Sequence, residues 1–170
     1  MVEVRLYGDK ILRTECTEVP IVDEEFKQKV KDMVSLLTKF EGLGLASNQV
    51  GDSRRYLVMN PNIMPEGFGI TIIDPHITSH GEETNIAFEG CLSLLSHGVD
   101  RERYSDVTVE YKNIDGASVV LEASGLLARV FQHEIDHLDG KLVIDDLSLM
   151  KKKMTLKKFQ KAKKWYKKHI

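Results

Sequence analysis

Two hydrophobic periods alternate along the chain. In VDEEFKQKVKDMVSLLTKF (22–40), Phe26, Val30, Met33, Val34 and Leu37 recur every three or four residues, the spacing of one helical face. Asp23 offers an N-cap, and Glu24 and Glu25 suit the positive end of the helix dipole, so the spacing predicts a helix over 24–40. GLGLASNQVG (42–51) follows as a glycine-rich loop or irregular strand. RYLVM (55–59), GITIIDPHIT (69–78) and IAFEGCLSLL (86–95) are short apolar runs of strand length. SDVTVEYKNIDGASVVLEA (105–123) alternates in both arms around Asp115-Gly116, a hairpin signature. In SGLLARVFQHEIDHLDG (124–140), Ser124 is placed to cap a helix and Gly140 to end it. Leu127, Phe131, Ile135 and Leu138 line one face of this helix, and Leu126 and Val130 lie on another, so it is buried on more than one side. A last helix starts near Ser148. The fold class expected is α+β, with mixed or antiparallel strands around a buried central helix and a C-terminal helix added.

The length, 170 residues, suits one domain with a substantial core. Charge changes the picture more. Residues 151–170 hold ten lysines and no acid, or +10; the other 14 basic and 26 acidic residues give −12, and the sum is the formal −2. An acidic body with a basic tail suggests an anionic partner for the tail. No apolar run approaches membrane-span length, and MVEVRLYGDKILR lacks the pattern of a secretory signal. A cytoplasmic location is the expectation, and there the two cysteines, Cys16 and Cys91, stay unpaired.

His133-Glu134-Ile135-Asp136-His137 is an H-E-x-x-H pattern. Histidines four apart project from the same side of a helix. The plain alternative is two core histidines bonded to carbonyls. Two imidazoles and a carboxylate are costly to bury unpartnered, whereas a metal ion satisfies both rings at once. A catalytic ion of this kind takes three protein ligands and leaves one position open. The zinc-protease patterns place the third ligand downstream, and both fail here: the next ligand position, three residues after Gly140, falls on Val143, and no glutamate follows Glu134. Upstream, Cys91 stands 42 residues before His133 in an apolar segment. Its plain reading, like that of Cys16, is a small buried hydrophobe.

Three stretches together resemble the motifs of peptide deformylases, in the family's order: Gly42-Leu43-Gly44-Leu45-Ala46-Ser47-Asn48-Gln49, Glu89-Gly90-Cys91-Leu92-Ser93, and the H-E-x-D-H of 133–137. YGDKILR near the start and GLLARVFQHEIDHLDGKLVID near the end resemble the family's flanking segments. The resemblance implies a catalytic domain over residues 1–147, with residues 148–170 as a basic C-terminal helix. It implies a divalent metal on Cys91, His133 and His137, ferrous iron in the cell, with zinc, nickel or cobalt also suited to these donors. The activity implied is removal of the formyl group from formyl-methionyl nascent peptides, releasing formate. Metal-bound hydroxide would attack the formyl carbon, with Glu134 as general base and then acid. By similarity, the Gln49 side chain and the Leu92 backbone N–H would stabilise charge on the formyl oxygen. Gly42 and Gly44 would let an extended peptide pair like an added strand. Leu126, Val130 and Leu45 are candidates for the methionine pocket, against plain core packing.

Two departures from the family pattern stand near these motifs: Ser47 replaces the usual second alanine, and LLSHG replaces the usual proline and glycine after the EGCLS serine. In the tail, Met154, Phe159, Ala162 and Tyr166 can share one docking stripe while lysines cover the rest. The resemblance suggests that this helix meets the ribosome, including its RNA. Two other function classes stay open at this point. A metallopeptidase would need a third ligand from a later aspartate or His169, and a non-catalytic metal module would need Cys16 to close the site.

Overall fold

The structure is a computed structural model that describes residues 2–169, with side chains through Trp165. Helix α1 spans Glu24–Lys39, and the Asp23 carboxylate accepts the Phe26 N–H at 2.8 Å, the expected cap. Strands β1 (Gly44–Ala46), β2 (Tyr56–Met59) and β3 (Thr71–His80) follow. Next come β4 (Thr84–Gly90), β5 (Gly98–Tyr104), β6 (Asp106–Lys112) and β7 (Ser118–Ser124). Helices α2 (Gly125–Leu138) and α3 (Leu149–His169) complete the chain. The strands form an antiparallel five-stranded sheet in the order β1-β2-β3-β6-β7 and a separate ribbon, β4-β5. The α+β expectation holds. Among the described residues no helix is long and apolar enough to cross a membrane.

The apolar pattern of each strand follows from what covers its faces. β2 is buried at all four positions because both faces are covered. Leu57 and Met59 join Phe131, Ile135 and Leu138 of α2, whereas Tyr56 and Val58 join Phe26, Val30, Met33 and Leu37 of α1. β6 and β7 are covered on one face only. Val107, Val109, Leu121 and Ala123 point to α2, and the residues between them are exposed or only partly buried, giving the period of two expected for a half-covered sheet. The hairpin closes as expected: the Asn113 N–H donates to the Ala117 carbonyl at 2.9 Å.

Four expectations need correction. The apolar run at 86–95 does not continue as a strand; β4 ends at Gly90, and Leu92–Leu94 form a 3-10 turn. β5, GVDRERY, carried too little apolar alternation to be read as a strand; only Arg103 and its neighbours in the pairing with β4 hold it inward. Ser124 makes no side-chain cap. It is the last residue of β7, and the Gly125 N–H is instead taken by the Ser105 carbonyl at 2.8 Å. In α3, Phe159 is fully buried and Leu156 packs beside it, but Met154 is 58% exposed and lies off the stripe. The Tyr166 side chain falls outside the described residues.

The turn after β1, Ser47–Val50, which holds the last three residues of the glycine motif, is tied to α1 through Asp52. Its carboxylate accepts Arg54 at 2.6 Å, Lys29 of α1 at 3.0 Å and the Tyr56 hydroxyl at 3.0 Å. Burial pushes this carboxyl up, but those hydrogen bonds outweigh it and hold it well below the usual carboxylate range. A depressed folded-state pKa contributes stability that is present above the unfolded value, near pH 4, and is lost as the pH falls through the folded value. Asp52→Asn is expected to lower stability by about 2 kcal/mol at neutral pH. Urea unfolding across pH should show the gap to wild type closing below about pH 4; a gap independent of pH would contradict this role.

Candidate metal centre and cleft

Cys91 is presented by a loop whose two ends nearly touch. Gly90 pairs with Gly98 in the β4-β5 ribbon, and a Cβ on Gly98 would lie 1.7 Å from the Glu89 carbonyl oxygen, so no side chain fits at position 98. Inside the loop, the Cys91 carbonyl accepts the N–H groups of Leu94 and Ser96, each at 2.9 Å. Leu95 and Ser96 are both left-handed, at φ 53° and 61°. Proline, fixed near −65°, cannot take the Leu95 conformation.

α2 brings His133 and His137 to this loop. One ligand atom from each of Cys91, His133 and His137 lies within 4.8 Å of the others, and all three residues are buried. Cys91 Sγ and His137 Nε2 are 3.3 Å apart. His133 engages Glu89 through Nδ1 at 2.9 Å, which leaves its Nε2 for an ion. Burial, with His133 and Arg103 nearby, holds the His137 imidazole well below its ordinary pKa. A thiol and two imidazoles turned toward one point are the donor set of a borderline or soft divalent ion, and the residues fit one.

Glu89 is the hub behind the ligands. Its carboxylate accepts Arg103 of β5 at 2.9 and 3.0 Å and Arg129 of α2 at 2.8 Å, besides His133. Burial pushes this carboxyl up, but the bonds from His133 and Arg103 outweigh it and bring it down to about 2. Arg103 also reaches Asp136 at 2.6 Å, so the network binds the ribbon to α2. Sequence reasoning quoted Glu89 as a motif letter without a role and passed over both arginines. An arginine inside the apolar run LLARVF was the available signal.

Glu134 faces the cleft from α2. A Cβ on Gly44 would come within 2.7 Å of Glu134 Cγ and 2.9 Å of its Oε1, so β1 approaches α2 only because residue 44 is glycine. Glu134 Oε2 is buried without a hydrogen-bond partner among the described residues. Burial, helped by Glu89 and opposed by His133, pushes its carboxyl up to about 7. Gln49 is oriented from both ends: its Oε1 accepts the Ala46 N–H at 2.9 Å, and its Nε2 donates to Ser93 Oγ at 3.2 Å and points to Cys91 Sγ at 3.8 Å. Leu92 opens the 3-10 turn, so its N–H lies outside the turn's own hydrogen bonds. Gly42 is held by a hydrogen bond from Asn60 to its carbonyl at 2.9 Å.

The cleft over these groups has a volume of about 260 Å³ and is lined by Gly42, Gly44, Gln49, Cys91, Leu92, Leu126, Val130, His133 and Glu134. Leu43 and Phe88 also line it and were not anticipated. Leu45 does not: it is fully buried in the cluster beneath α1, because neighbouring strand residues point to opposite faces and Gly44 takes the cleft side. Cys16 stays a core residue, its Sγ 3.8 Å from Ser47 Oγ, and no described residue closes the metal group as a fourth member. Ser47 fits where alanine is usual because its hydroxyl donates to the Arg54 carbonyl.

The profile of the polypeptide deformylase family matches residues 1–153. The chain belongs to the peptide deformylase family. A peptide deformylase of Wolbachia pipientis wMel is 43% identical over 169 residues, 93% of each chain. The crystal structure of a peptide deformylase from Legionella pneumophila superposes with a TM-score of 0.92 at 32% identity, over 100% of this chain and 99% of that one. That of the Thermotoga maritima enzyme superposes at 0.80 with 39% identity, over 87% and 98%. The deformylase is thus a metal-dependent hydrolase that removes the formyl group from newly made polypeptides. Replacing Glu89 by Gln in this deformylase is expected to weaken metal affinity by about 10- to 100-fold, because it frees the His133 ring. Chelator competition measures this; unchanged affinity would remove Glu89 from the metal site.

Proposed function

We propose that Glu134 is the proton carrier of deformylation and that the cleft holds the formyl-methionyl end of the peptide. A divalent ion on Cys91, His133 and His137 supplies Lewis-acid activation of water and of the formyl oxygen. Glu134 Oε2 takes the proton of the attacking water and returns it to the leaving amine. The observation that carries this is its burial, unpartnered, beside the three ligands with a pKa near neutrality. Gln49 Nε2 and the Leu92 N–H donate to the formyl oxygen as it gains charge. Leu126, Val130, Leu43 and Phe88 receive the methionine side chain. β1 is an edge strand, so its outer edge at Gly44 is open to pairing with the extended peptide, beside Gly42, whose N–H and carbonyl are already bonded to Leu37 and Asn60.

The ion in the cell is ferrous iron, whose thiolate ligand is open to oxidation, and the enzyme works in the cytoplasm, where nascent chains emerge. Residues 1–147 carry the chemistry; residues 148–170 direct the enzyme to its substrate. Lys151, Lys153, Lys157, Lys158, Lys161 and Lys164 are exposed on α3, a continuous cationic surface suited to ribosomal RNA.

With anaerobically prepared protein and a formyl-methionyl peptide, Glu134→Ala is expected to keep its metal and lose formate release by at least about 100-fold; equal turnover would remove the proposed base. Changing the six exposed lysines to Gln leaves Phe159 in place and is expected to abolish ribosome co-sedimentation at low salt. Undiminished co-sedimentation would contradict ribosome docking.

A further inference from the structure

The two ligating imidazoles are held unequally. A histidine on a metal ion normally gives its second ring N–H to an acceptor, which fixes the ring and its tautomer. His133 has Glu89 for this. His137 has no such acceptor: its Nε2 faces Cys91 Sγ at 3.3 Å, and its Nδ1 is buried without a hydrogen-bond partner among the described residues. Asn48 already bonds the same residue. Fully buried in the 3-10 turn Ser47–Val50, it donates Nδ2 to the His137 carbonyl. That bond settles the orientation of the amide, because a carbonyl oxygen accepts only from its NH2 end. The Asn48 Oδ1 left over is buried and unpartnered as well. A buried donor lacking an acceptor and a buried acceptor lacking a donor thus stand on two residues that are joined. Of the other buried side-chain atoms without a partner, Glu134 Oε2 faces the cleft and the Tyr111 hydroxyl lies on β6.

We propose that one buried water joins Asn48 Oδ1 to the His137 Nδ1–H, which makes Asn48 the positioning residue of His137. The water accepts from the ring and donates to the amide oxygen, so both atoms are satisfied. The amide then grips His137 at its backbone and at its ring. With the proton held on Nδ1, the Nε2 lone pair is presented beside Cys91 Sγ. Glu89 does the same for His133 with a charged group; Asn48 does it with a neutral one and adds no charge to the ion's surroundings. Asn48 also precedes Gln49, so one short turn carries both the outer partner of a ligand and a proposed donor to the formyl oxygen. The inference rests on the reading of His137 as a metal ligand.

The test uses full-length, zinc-loaded protein. Proton–nitrogen correlation NMR is expected to show the His137 proton on Nδ1, protected from solvent exchange, with cross-peaks to a bound water. A His137 ring N–H that exchanges freely would overturn the proposal, and this measurement needs no variant. Asn48→Leu, close in volume, removes both bonds. By chelator competition its zinc affinity is expected to fall about tenfold, and the His137 ring signal should move and lose protection while that of His133 stays. Asn48→Thr, whose hydroxyl can both donate and accept, should recover most of the affinity. A lower thermal midpoint of the metal-free protein with zinc affinity unchanged would overturn the proposal, making Asn48 a plain packing residue. Equal disturbance of both histidine signals would overturn it too, since α2 as a whole would then have shifted. His137→Ala separates the two readings: if zinc affinity survives it, the ligand assignment itself fails; if affinity is abolished while Asn48→Leu has no effect, only the outer partner fails.

Discussion

Glu89 sits between two guanidinium groups and an imidazole, and the active centre depends on that arrangement being complete. A carboxylate taken out of water is costly, and Arg103 and Arg129 are nearly as buried as Glu89 itself. Each is tolerable only because the others are there; removing one partner from such a set commonly costs about 3–5 kcal/mol. The same bonds fix the His133 ring. They also hold the β4-β5 ribbon against α2, and that ribbon carries the Cys91 loop. Stability and ligand geometry therefore come from one set of contacts.

Around this hub the site is assembled from close approaches. Gly98 lets the ends of the Cys91 loop meet, and Gly44 lets β1 lie against Glu134. The result is a carboxylate deprived of water beside three metal-ligating groups. The unusual electrostatics of Glu134 follow from packing that is itself ordinary: a short edge strand with a glycine facing a helix. Asp52 performs the analogous task farther out, tying the Gln49 turn to α1.

Much of this was legible in the sequence where one segment carries its own pattern. α1, with its Asp23 cap, and the β6-β7 hairpin follow from local periodicity, and so does the burial of α2. His133 and His137 were legible because a helix brings residues four apart to one side. Cys91 was legible as a ligand only through the ordered motifs, since nothing local distinguishes it from a buried thiol. The charged hub was hidden because its members are far apart in sequence: Glu89 meets Arg103 across 14 residues and Arg129 across 40. Pairing of that kind is set by the tertiary fold. β5 was missed for the same reason, since its polar residues form a strand only against β4. Leu45 and Met154 failed through facing: a side chain one step along β1, or two residues before Leu156 along α3, points elsewhere, and apolar character alone does not say which way.

The central claim is that one ion is gripped by a sulfur from the loop after β4 and two imidazoles from α2, with Glu134 beside it and unligated. X-ray absorption at the metal edge of the zinc-loaded protein tests this most directly. The account predicts one sulfur scatterer at about 2.3 Å and two imidazole nitrogens at about 2.0–2.1 Å, a shell that Glu134→Ala leaves in place. A shell with two sulfurs, or with none, or one that loses an oxygen ligand in Glu134→Ala, would contradict it.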